Sequence, residues 1–185
     1  VKRLALRAVL IAFVAGTLAG CVDSAGPILV DAKPVFGPQL RLHFYGLRKG
    51  HVDDPEQADY AWRDGHYQHV RGGMTDIKGF TVHPFEAGDA IVQTVPADRT
   101  HSVEYALVHT LVPGVYQVVP IDENDADAAT RAANCPDRAG SACRIETREQ
   151  LFALARATAA RRSDKGGLAL RLPDGPEQGQ TPAAR

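Results

Sequence analysis

The chain lacks most of the patterns that announce a chemistry. It has no basic excess: 21 Lys and Arg stand against 22 Asp and Glu, a formal charge of −1. Nucleic-acid-binding domains carry a basic patch and a high isoelectric point, so that class is set aside. Beyond residue 20 there is no long apolar run, and so no candidate for a membrane-spanning helix in the body of the protein. A Gly-rich phosphate cradle and a His-Glu-x-x-His set are both missing; either would have pointed to a nucleotide or a zinc ion. The serines are Ser24, Ser102, Ser141 and Ser163, none of them in a Gly-x-Ser-x-Gly turn. His43, His83, His101 and His109 are scattered over separate segments, and His66 and His69, three apart on a strand, point to opposite faces. The expectation is therefore no catalytic residue, no metal site and no cofactor.

What is present is concentrated at the start. Lys2, Arg3 and Arg7 lead into an apolar run from Leu4 to Leu18, which closes on Leu18-Ala19-Gly20-Cys21. Cationic residues stay on the cytoplasmic side, the apolar segment enters the membrane, and small residues at its end admit a peptidase. The run is short of the ~20 residues that span a bilayer comfortably, so a cleaved signal fits better than a permanent span. Leu-Ala-Gly-Cys resembles the lipobox of bacterial lipoproteins, residue by residue. The resemblance implies a signal peptide over residues 1–20, a diacylglycerol on the Cys21 thiol, and a mature chain that begins at Cys21. Several acyl chains, at ~0.8 kcal/mol per buried CH2, make a lasting anchor. In many Gram-negative lipoproteins an Asp directly after the lipidated cysteine retains the protein in the inner membrane. Here Val22 holds that place and Asp23 follows. The resemblance thus favours the outer membrane with the domain in the periplasm; a Gram-positive or surface-exposed location stays open.

Loss of the leader removes three cations and no acid, leaving 18 basic against 22 acidic residues, a formal −4. With Cys21 acylated in that compartment, Cys135 and Cys143 remain, eight apart across Pro136 and Gly140. In an oxidising compartment such a pair reads as a local disulfide. A zinc site wants four ligands, and a redox dithiol is normally Cys-x-x-Cys.

Residues 21–38 hold Gly26, Pro27, Pro34, Gly37 and Pro38 with no sustained period, which reads as a flexible tether after the lipidated cysteine, with the apolar patches Ile28-Leu29-Val30 and Val35-Phe36 open to docking on the domain at its inner end. The globular domain is expected over residues 39–172. Leu40, Leu42 and Phe44 alternate with Arg41, His43 and Tyr45, the period of a half-buried strand. His51 to Gln57 reads as a loop, its Asp53-Asp54 either an acid pair or a solvated turn. Asp64-Gly65, between aromatic-rich arms, predicts a hairpin. Tyr60, Trp62 and Tyr67 on those arms suit either core packing or an exposed platform for a glycan or peptide. Two further hairpins follow, Phe80–Pro84 with Asp89–Val95 and Val103–His109 with Val115–Val119. Acids followed by alanines over Asp122–Asn134 suggest a short helix. Thr147-Arg148-Glu149-Gln150 has the capping-box pattern, opening an amphipathic helix to about Arg162 with Leu151, Leu154, Ala155 and Thr158 on one face. Leu168–Leu172 is a last strand, and residues 173–185 a disordered tail.

The expected fold is α+β: a mainly antiparallel β meander, curled into a partial barrel or sandwich, with the C-terminal helix packed on the sheet. The expected protein is a membrane-anchored cell-envelope lipoprotein in a structural or binding role. Membrane lipid through Cys21 is its first partner, with an envelope protein or the cell wall as a further one. The alternative is a periplasmic hydrolase-type enzyme whose site assembles only in three dimensions.

Overall fold

The computed structural model describes residues 22–172, apart from 49–50, 53–55, 71–76, 87, 99–101, 136, 140–141 and 163–165. Among the described residues twelve strands are formed, most of them consecutive antiparallel neighbours: β1 (Val22–Ser24), β2 (Gln39–Arg48), β3 (His51–Val52), β4 (Glu56–Arg63), β5 (His66–His69), β6 (Ile77–Pro84), β7 (Asp89–Pro96), β8 (Val103–Val112), β9 (Val115–Pro120), β10 (Asp137–Ala139), β11 (Ala142–Arg144) and β12 (Gly167–Arg171). Two short helices, α1 (Ala128–Asn134) and α2 (Arg148–Ala160), fall between β9 and β12.

Sequence neighbours pair in order from β4 to β9, β2 pairs with β4, and β12 then fills the gap between β9 and β2. With β8 paired to β9, the sheet closes into an eight-stranded barrel. Closure, rather than the expected partial barrel or sandwich, leaves these eight strands without a free edge, the usual liability of an antiparallel sheet. The hairpins read from the sequence are all present. The Asp64-Gly65 turn is the clearest, with φ of 49° and 79° at the two positions, as a type I′ connection requires. At Gly79, a side chain is excluded by close approach, because a Cβ would lie 2.0 Å from the Tyr67 carbonyl oxygen.

Directly paired residues share a face, so the register fixes the lumen. Leu40 opposes Tyr60, Tyr60 opposes His69, Tyr67 opposes Phe80, and Phe80 opposes Thr94. Leu40, Leu42, Tyr60, Tyr67 and Val82 form the inner core, with Phe36, Phe44, Trp62, Phe80 and Val92 packed against it. The alternation expected from Leu40 onward is what fills this interior.

A second core lies outside the barrel wall. Ile91, Val103, Tyr105 and Leu107, from β7 and β8, share a buried cluster with Val22, Leu29, Ile121, Cys135, Cys143, Ile145, Leu151, Leu154 and Ala155. Thr147 and Gln150 complete the capping box of α2, and Leu151, Leu154, Ala155 and Thr158 are its buried face. The helix runs to Ala160, slightly short of the expected end.

Three expectations change. The flexible tether is not one from Val22 onward, since Val22 is fully buried and β1 lies between β8 and β11. The sequence carried no strand signal there because a three-residue strand shows no period. The segment after it is fastened to the outer wall: the Gln93 side chain accepts from the Ile28 and Leu29 N–H groups and donates to the Leu29 carbonyl. The His51–Gln57 loop is interrupted, with β3 paired to β2 and β4 starting at Glu56; Asp53 and Asp54 lie outside the described residues. Asp122–Asn134 is broken into a 3-10 turn, Glu123–Asp125, and α1, each capped by an Asp side chain. Cys21 and residues 173–185 also lie outside the described residues.

Candidate functional site

The barrel lumen is incompletely filled. A cavity of about 130 Å3 runs between the strands. Leu40, Leu42, Phe44, Tyr60, Phe80, Val92, Val108, Tyr116, Val118 and Ala169 line it from the wall, and Phe36 lines it from the segment before β2. An eight-stranded barrel is just wide enough to be filled by side chains or to hold one small ligand. Here the wall alternates large aromatics with small residues, and the space beside Ala169 and Val92 is left over.

Phe36 closes one end. Its ring lies 5.3 Å from Tyr116 and 6.2 Å from Tyr67. The Tyr67 hydroxyl accepts from the Phe36 N–H at 2.9 Å and donates to the Gly37 carbonyl at 3.0 Å. A fully buried tyrosine therefore pins the backbone that carries the plug. Burial raises its pKa, against smaller opposing effects of the Phe36 backbone bond and the Arg171 charge, so it stays protonated as that donor.

Tyr60 is different. It is 7% exposed, faces the lumen and lines the cavity, yet among the described residues its hydroxyl has no hydrogen-bond partner. Its ring meets Phe80 edge-on at 4.9 Å and the His69 ring at 4.3 Å. Burial alone pushes its hydroxyl far above the ordinary phenol range. His69 Nδ1 is also buried and unpartnered, and burial lowers the pKa of that imidazole. His69 Nδ1 is a buried atom of this kind, for which an unmade hydrogen bond costs about 1–3 kcal/mol, whereas Tyr60 borders the cavity itself.

The platform suggested by Tyr60, Trp62 and Tyr67 is not exposed. Tyr60 and Tyr67 belong to the inner core, and Trp62, partly buried, packs against it, edge-on to Tyr67 at 5.0 Å. His66 and His69 do face opposite ways, His66 lying over Gly79 on the outer surface.

Sequence reasoning missed one histidine–carboxylate pair. On the outer wall, His109 Nδ1 meets Asp89 Oδ1 at 2.5 Å, and Arg162 Nη1 donates to Asp89 Oδ2 at 3.0 Å. The signal was the cross-strand register of Asp89 with His109, which only strand pairing reveals. Among the described residues no hydroxyl or thiol hydrogen-bonds to His109, and the pair faces away from the cavity. Among the described residues it has the orienting half of a catalytic triad without a nucleophile, and the Asp89 carboxylate ties Arg162, after α2, to the barrel by an ion pair.

Cys135 and Cys143 form a disulfide with Cα atoms 5.3 Å apart. It joins the end of α1 to β11, which pairs in parallel with β1, Val22 opposite Cys143. Closing so short a loop contributes roughly 2–3 kcal/mol in the chain-entropy picture. Glu123 lies close to both sulfurs, but sulfurs bonded to each other are not thiolate ligands.

The fold and site together define a class: a closed, antiparallel eight-stranded barrel with an apolar lumen and an outer second core. Its faces are the reverse of a membrane-spanning barrel, which is apolar outside and polar within; here Arg41, His43, Asp59 and Arg63 point outward and Leu40, Leu42 and Phe44 inward. No known protein family, curated protein or solved structure matches the chain.

Proposed function

We propose that this is a cell-envelope lipoprotein, anchored through an acylated Cys21, whose periplasmic barrel binds a small apolar ligand in its lumen. The observation that carries the binding role is the apolar cavity of about 130 Å3 inside a closed barrel, for ligand sites are concave, mostly apolar and largely pre-formed. The leader and Leu18-Ala19-Gly20-Cys21 support the anchor, and the pair Cys135–Cys143 suits an oxidising compartment. In this reading α2 is packed on the outer face of β7 and β8, supported by the cluster that Leu151 and Leu154 share with Ile91 and Leu107. Because Val22 is already buried, the barrel follows its lipid without a spacer and rides at the bilayer surface. An outer-membrane location follows from Val22 in place of an Asp, and the cell wall or an envelope protein remains a second partner.

Labelling cells with radioactive palmitate tests the anchor. Wild-type protein takes up label and Cys21→Ser does not; label in the variant sinks the assignment. For the lumen, benzene-saturated buffer raises the melting temperature of the mature protein, because a ligand that binds only the folded state stabilises it. An unchanged melting temperature counts against ligand binding in the cavity.

A further inference from the structure

The cavity is not uniformly apolar, since Tyr60 and Tyr116 both line it, and the more deeply buried hydroxyl, that of Tyr60, restricts what fits. We propose that the barrel lumen takes a small uncharged molecule, an apolar body of about one ring carrying a single oxygen that accepts a hydrogen bond from the Tyr60 hydroxyl. This rests on the reading of the cavity as a ligand site. Size sets the first limit: 130 Å3 is close to the ~150 Å3 of an engineered apolar cavity that holds benzene. Charge sets the second. Among the described residues no acidic or basic side chain lines the cavity, and an ion would be desolvated there without a counter-charge.

Tyr60 supplies the third limit. Two tyrosines of the inner core, 60 and 67, are nearly or fully buried, but they are used differently. Tyr67 spends its hydroxyl on the backbone at Phe36 and Gly37. Tyr60 meets nothing comparable, although buried tyrosine hydroxyls usually find a partner. The His69 and Phe80 rings brace it from two sides, which keeps the hydroxyl pre-positioned. A phenol held protonated by burial is a donor throughout the physiological range, so a carbonyl or ether oxygen completes it. Phe36, pinned by Tyr67, covers the ligand at one end.

The test is a cycle of two ligands and two proteins, using cyclopentanone and cyclopentane with the full mature chain and its Tyr60→Phe variant. Calorimetric titration should find that Tyr60→Phe weakens cyclopentanone binding roughly three- to tenfold, the worth of one net hydrogen bond. Cyclopentane binding should change less than about twofold, on the same scale. Equal effects on both ligands, or none on either, overturn the role of Tyr60 and leave the cavity as a ligand site. Binding of neither ligand to the wild type overturns the cavity reading itself. A measurement on the wild type covers the case in which the variant does not fold. The carbonyl stretch of bound cyclopentanone should lie below its frequency in alkane, and a frequency equal to that in alkane refutes the hydrogen bond.

Discussion

The two cores of this protein lie back to back on one barrel wall, and they are packed to different standards. On β7 the outward residues Ile91 and Gln93 are buried, whereas the inward Ala90 and Val92 keep some accessible surface. In most barrels that order is reversed, since the outside faces water. Here the outer side of β7 and β8 is covered by β1, the segment through Leu29 and the elements around the disulfide, while the inner side borders the cavity. Dense packing outside maintains the shape, and incomplete packing inside leaves room for a guest. Close-packed interiors do not tolerate voids without cost, so the void retained in the lumen is what supports the proposal that the lumen is the binding side.

The largest expected effect separates the two directly. Leu154→Ala empties a fully buried site in the outer cluster and should cost about 2–5 kcal/mol. Leu42→Ala makes the same truncation on a side chain that already borders the cavity and has fewer contacts to lose, so its cost should fall at the low end, about 2 kcal/mol. Urea unfolding measures both. A larger loss for Leu42→Ala than for Leu154→Ala would break the comparison.

A smaller effect comes from acid, and each core supplies one group. His69 faces the lumen and His83 the outer wall. Burial lowers the pKa of both, in His83 with the Arg148 charge adding to it and the Asp31 charge opposing it. In the unfolded chain both take up a proton near 6.5, so below that pH the unfolded state binds more protons than the folded one. Stability is therefore fully present above about pH 6.5 and falls as pH drops toward the lowered folded values. Glu104 acts in the opposite sense and lower down: burial, with the Asp23 charge adding to it, raises its pKa from 4.5. Its share is present below that value and is lost as pH rises through the raised one. Melting temperature measured from pH 7.5 to 6 should decline, and His69→Phe should flatten the decline while His83 retains its part. A slope unchanged in His69→Phe would remove the lumen's share.

Much of the wall was legible in the chain because strands of an antiparallel barrel announce themselves by period two. Leu40, Leu42 and Phe44 declared an inner face, Asp64-Gly65 declared a turn, and Thr147 with Gln150 declared a helix start, each from local residues alone. Other features gave no local signal. The segment through Leu29 read as a tether whose apolar patch Ile28-Leu29-Val30 could dock, but the hold itself was hidden, a glutamine 64 residues away in sequence, Gln93. The Asp89–His109 pair was hidden for the same reason, its members 20 residues apart on adjacent strands. Gln117 was legible only as an outward residue of its strand, yet it too secures a crossing segment, donating to the Arg162 carbonyl at 2.7 Å.

Sequence alone carried the leader-like apolar run and the Cys21 motif on which the proposed anchor rests, the meander of hairpins, the capped helix and a cysteine pair close enough to bridge. Those depend on residues near one another along the chain, where spacing and chemistry suffice. Only the tertiary structure decided that the meander closes, that Val22 enters a core, and that a cavity remains beside Tyr60. Closure and cavity arise from how eight strands stagger and how their side-chain volumes sum across the lumen, quantities that no stretch of sequence carries by itself.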